Sequence, residues 1–114
     1  MDALEDVVRV GQALSDRTRV RILAALSVRA LCVCELTALV PVGQPAVSRH
    51  LGILRAAGLV EDVRDGKWVN YRLARGGRAT FARAALRSLG RGPGGDAALR
   101  DLRRRAKVVD RRSL

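Results

Sequence analysis

The only two thiols of the chain, Cys32 and Cys34, stand one residue apart in Leu31-Cys32-Val33-Cys34-Glu35-Leu36. Thiolates are the ligands that soft ions prefer, so the pair points to a soft ion, among them trivalent arsenic or antimony, cadmium, lead and cuprous ion. Trivalent arsenic sits at the apex of a pyramid of sulfurs. Two would come from the chain, and the third position would be left to a small thiol, water or an unassigned partner. Shortly downstream runs Gln44-Pro45-Ala46-Val47-Ser48-Arg49-His50-Leu51. Gln pairs with adenine, Arg with guanine, and Ser with bases or phosphates, so Gln44, Ser48, Arg49 and His50 are the candidate DNA-contacting residues. A soft-ligand pair beside a DNA-reading element is what a metal-responsive switch requires. Two other readings of the thiols compete: a sensor of oxidants or sulfur species, and inert small core residues.

The elements that must position these groups follow from apolar spacing. Leu4, Val7, Val8, Gly11 and Leu14 define a first amphipathic helix. Ser15 or Asp16 caps a second over about 17–27, burying Val20, Ile22, Leu23 and Leu26 and exposing Arg17, Arg19 and Arg21. A short third helix, about 33–40, stops before Pro41. A fourth starts at Gly43 or Gln44, carries Val47, Leu51 and Leu54 inward, and ends at Gly58. Leu59 to Arg64 and Lys67 to Leu73 read as a hairpin turning on Asp65-Gly66. A fifth helix, about 78–89, aligns Phe81, Ala85 and Leu89. Gly90 to Gly95 break the chain, and Asp96 caps a last helix striped with Leu99, Leu102, Ala106 and Val109.

Three helices, a fourth with polar residues at its start, then a hairpin make a mainly α fold with a winged helix-turn-helix, whose joint is Pro41-Val42-Gly43. Arg64 and Lys67 flank the hairpin tip, where they would meet the DNA backbone or minor groove. On a regular helix residues two apart point roughly 200° from one another. Gripping one ion between Cys32 and Cys34 would therefore distort the start of the third helix, which packs on the recognition helix. The helix N-terminus is also expected to favour the Cys32 thiolate.

Composition agrees with a polyanion partner. Residues 1–71 hold 9 Lys/Arg against 8 Asp/Glu, whereas residues 72–114 hold 13 against 3. Arginine abundance in an Ala/Gly-rich chain also has a bland compositional explanation, so charge alone does not decide. No apolar run reaches membrane-spanning length and the first residues are acidic, so a soluble, cytoplasmic protein without membrane partners is expected. A thiol enzyme would want Cys-x-x-Cys in a βαβ unit with an acid–base partner. None is present, and the chain is expected not to be an enzyme. The expected organisation is a winged-helix and dimerisation unit over 1–90 and a basic extension over 91–114, helical from about 96.

Ala13-Leu14-Ser15-Asp16-Arg17-Thr18-Arg19-Val20-Arg21-Ile22-Leu23 resembles the second-helix signature of the ArsR/SmtB family of bacterial metal-sensing repressors. The Cys32–Leu36 run, Gln44–Leu51 and Asp65–Leu73 are similar to its further motifs, in the same order, and the arsenic-responsive branch looks nearest. The resemblance implies a homodimer joined through the first and fifth helices, here Leu4, Val7, Val8, Phe81, Ala85 and Leu89. It also implies double-stranded operator DNA as partner, Cys32 and Cys34 as ligands, and release of DNA when a metalloid binds. Two departures stand out: Gly43 where members often carry Ser, and Thr37 where arsenic sensors often carry a third Cys.

Overall fold

The computed structural model describes residues 3–89 and 96–114. Its elements run α1 (Ala3–Ala13), α2 (Arg17–Leu26), β1 (Leu31–Cys32), α3 (Val33–Leu39), α4 (Gln44–Ala56), β2 (Val60–Asp65), β3 (Trp68–Leu73), α5 (Ala79–Leu89) and α6 (Ala97–Val108), then a 3-10 turn, Arg111–Ser113. The glycine-rich break expected over Gly90–Gly95 lies outside the described residues.

Local chemistry sets the element ends. The Asp16 carboxylate accepts the Arg19 amide at 3.0 Å and starts α2, satisfying an amide that has no partner within the helix. Val40 is extended (φ −115°, ψ 152°) and ends α3, as a residue before proline prefers. Gly58 adopts φ +78°. The Leu59 amide then reaches back to the Leu54 carbonyl at 3.0 Å, the six-to-one bond of a Schellman stop.

The three strands form an antiparallel sheet in the order β1-β3-β2. Asp65 pairs with Trp68 across the hairpin, so the two-residue loop is Gly66-Lys67 rather than Asp65-Gly66. Gly66 takes φ +60°, and a glycine in the first loop position is the pattern of a type II′ turn. The strand β1, which apolar spacing does not indicate, pairs Leu31 with Tyr71 and Cys32 with Asn70.

The core collects Ile22, Leu23 and Leu26 of α2, Leu36 and Leu39 of α3, Val47, Leu51 and Leu54 of α4, and Leu59 and Leu73 of the sheet. Leu99, Leu102 and Ala106 of α6 join it, packing chiefly on α2. The helices α1 and α5 each have two faces. Val10, Ala13, Ala82 and Leu86 turn inward, while Leu4, Val7, Val8, Phe81 and Leu89 remain exposed. Among the described residues no helix is long and apolar enough to cross a membrane.

Candidate thiol site and nucleic-acid interface

Cys32 is the last residue of β1 and the N-cap of α3, with extended backbone (φ −84°, ψ 171°). Cys34 lies inside the helix. The thiols therefore straddle a strand–helix corner instead of sharing a regular helix, and the expectation that a helical turn must unwind gives way. What separates them is burial: Cys32 is 3% exposed and Cys34 faces solvent. Both are free.

The corner is held by a residue that the thiol motif did not single out. Glu35, only 4% exposed, accepts the Cys32 amide at 3.0 Å and completes a capping box in which Cys32 stands where Ser or Thr is usual. Arg29 Nη2 donates to its other oxygen at 3.3 Å. Burial by itself would raise the Glu35 carboxyl, but the hydrogen bonds from Cys32 and the charge of Arg29 outweigh it and hold it below its ordinary value. Burial likewise pushes the Cys32 thiol up; the Glu35 amide opposes this, and the Glu35 carboxylate adds to it. The expected thiolate-favouring helix start is thus overruled by desolvation and a neighbouring carboxylate. Among the described residues no group of three or more His, Cys, Asp or Glu could hold a metal ion. Cys32 and Cys34 are the two thiols a soft ion would meet, and among the described residues no third His, Cys, Asp or Glu joins them in a metal-holding group.

On α4, Gln44, Ser48 and Arg49 are exposed at the helix start and along its first turns. Gly43 caps the helix without a side-chain bond and Pro45 lies in the first turn, so unbonded backbone amides face outward as an anion-attracting end. His50, expected on the outward face, is instead 9% exposed and turns toward α2, where Arg19 Nη1 donates to its Nδ1 at 3.3 Å. Arg19, expected to be exposed, also donates to the Ala13 carbonyl at 2.8 Å and the Gln12 carbonyl at 3.2 Å. It ties the end of α1 to α4, and His50 belongs to that packing rather than to the outward face.

Arg64 and Lys67 are exposed at the hairpin tip. Trp68 beside them is covered by two cations, Lys67 Nζ at 5.5 Å and the Arg111 guanidinium at 4.6 Å from the ring centre. Arg111 also donates to Asp65 Oδ2 at 3.0 Å and Asn70 Oδ1 at 3.2 Å, offsetting the one carboxylate at the tip. Sequence spacing carries no sign of this contact, since Arg111 lies 46 residues from Asp65.

A helix-turn-helix with a three-stranded wing and an exposed polar helix start is a DNA-reading frame. The sequence profile described as "Bacterial regulatory protein, arsR family" matches residues 16–62. An ArsR-like transcriptional regulator from Rhodococcus sp. RHA1 superposes with a TM-score of 0.63 at 34% identity, covering 76% of this chain and 81% of that one. The chain belongs to the ArsR family. The arsenical resistance operon repressor of Escherichia coli K12 is 44% identical over 68 residues, 59% of this chain and 58% of that protein, so the chain spans little more than half the length of this curated relative. The homodimeric winged helix-turn-helix DNA-binding domain Mb0332 of Mycobacterium bovis gives a TM-score of 0.68 at 29% identity, covering 75% of this chain and 79% of that one. By name these relatives are a transcriptional regulator, an operon repressor and a DNA-binding domain.

Proposed function

We propose that this protein is a cytoplasmic, homodimeric transcriptional repressor that holds operator DNA through α4 and the wing, and releases it when arsenite or antimonite engages Cys32 and Cys34. One observation carries the reading: Cys32 belongs at once to the wing sheet, through its pairing with Asn70, and to the start of α3, which packs on α4. A ligand that draws Cys32 from its buried position toward Cys34 must disturb both DNA-reading elements. In this account Gln44, Ser48 and Arg49 meet bases or phosphates, and Arg64 and Lys67 follow the backbone. The exposed apolar faces of α1 and α5, with Leu4 at 75% and Phe81 at 54% exposure, support a second copy as their cover, with Val7, Val8, Ala85 and Leu89 beside them.

The similarity to an arsenical resistance repressor favours arsenite over cadmium or lead, which two thiolates would also attract. The test is fluorescence anisotropy on labelled DNA from this gene's promoter, titrated with reduced protein and then with arsenite, antimonite or cadmium. Binding followed by release at low arsenite is expected. Binding that ignores arsenite but responds to cadmium or to oxidant would replace the inducer and leave the DNA-binding reading in place.

A further inference from the structure

We propose that Arg29 and Arg111 are positioning residues that fasten the C-terminal segment as a strap between the thiol corner and the wing tip. The inference rests on the reading of Cys32 and Cys34 as the inducer ligands. At one end, Arg29 Nε donates to the Ala106 carbonyl at 3.0 Å, and its Nη2 donates both to the Val109 carbonyl and to Glu35 Oε2. Carbonyls in the last turn of a helix lack partners within it, and a cation there also meets the negative end of the helix dipole. One guanidinium thereby closes the end of α6 and holds the carboxylate that holds Cys32.

From Val109 the chain enters the 3-10 turn, whose Asp110 side chain accepts the Arg112 amide at 2.9 Å. That turn delivers the Arg111 fork to Asp65 and Asn70 and lays it over Trp68. Asn70 is the strand partner of Cys32. The contacts thus close a ring: Cys32, Glu35, Arg29, the segment 106–111, Asn70, and back across the ladder to Cys32. A ring of this kind makes the corner and the wing move together. Withdrawal of Cys32 displaces Glu35, leaves the Arg29 cation without its buried partner, and slackens the segment whose other end orders the hairpin.

The alternative use of the tail, as a free basic arm for flanking phosphates, fits less well. Arg103 donates to the Leu86 carbonyl, Arg105 to the Ala38 carbonyl, Arg104 pairs with Asp101 and Arg112 with Asp110.

The first arm of the test needs neither DNA nor metalloid. In a Cys34→Ser background Cys32 is the sole thiol, and its rate of reaction with iodoacetamide reads how often the corner opens. Arg111→Ala is expected to speed that reaction by about fivefold or more at a temperature where the helical spectrum shows the protein still folded. Loss of a nearby positive charge alone would disfavour the thiolate and slow the reaction, so the sign separates a strap from simple electrostatics. An unchanged or slower rate overturns the proposal. Asp65→Asn, which leaves the tail intact, must act in the same direction and add little to Arg111→Ala; independent, additive effects would also overturn it. Arsenite release of the promoter by the wild-type protein is measured alongside. Its failure removes the inducer reading, whereas failure of the alkylation arm with release intact removes the strap alone.

Discussion

Cys32 and Asn70 are register partners across the β1–β3 ladder, so the first thiol of the pair is itself a residue of the wing sheet. The same cysteine caps α3 and is covered by the core. A buried N-cap in a two-residue strand is a place where a small chemical event has two directions in which to spread, into the helix-turn-helix and into the hairpin.

Different burial predicts different reactivity. Cys34 is exposed and Cys32 is buried with its thiol pushed up, so a thiol reagent added to the folded, DNA-free protein should label Cys34 first. Peptide mapping after brief alkylation is expected to show Cys34 modified at least about tenfold faster. Equal rates would mean that the corner opens freely in the absence of inducer.

The start of α2 depends on one carboxylate. Asp16→Ala should lower stability by about 1 kcal/mol in urea unfolding at neutral pH, and Asp16→Asn by much less. The hydrogen bond from the Arg19 amide, with a lesser pull from the Arg19 guanidinium, holds the Asp16 carboxyl below its ordinary value against the opposing effect of burial. A depressed carboxyl contributes its stability above the unfolded value and loses it as pH falls through the folded one. The gap between wild type and Asp16→Ala should therefore narrow below about pH 3.8.

On α4 the account separates packing from contact. His50→Ala leaves an Arg19 donor without its partner and should cost about 1–3 kcal/mol of stability, with little change in which base sequence is preferred. Arg49→Ala should leave stability within about 0.5 kcal/mol and weaken operator binding by about 1–3 kcal/mol if Arg49 reads a base. Paired unfolding and binding measurements decide; the reverse pattern would exchange the two roles.

These residues also show how far the sequence is legible. Helix order, the hairpin and the inward set Val47, Leu51 and Leu54 follow from spacing. His50 lies three residues after Val47 and four before Leu54, so the same period already turned it inward, but its polar chemistry outweighed its position. Glu35 carried a signal too, a Glu three residues after an N-cap, obscured because that cap is a cysteine. β1 is only two residues long and offers no alternation to read. The grip of Arg29 on Ala106 and Val109 spans 77 and 80 residues, and no local pattern encodes a contact made by the packing of α6.

The exposed faces of α1 and α5 predict assembly. Phe81→Glu, at a position 54% exposed, should halve the mass seen by sedimentation velocity while leaving the helical spectrum intact. An unchanged mass would place the dimer contact elsewhere or leave the protein monomeric.

The most direct measurement is the change in operator affinity on adding arsenite, determined side by side for wild type and Cys32→Ser with reduced protein. The account predicts that wild type loses about 30- to 150-fold in affinity, the size of a coupling of about 2–3 kcal/mol, while Cys32→Ser binds the same DNA and barely responds. Release of equal size from Cys32→Ser would contradict the thiol switch at this corner.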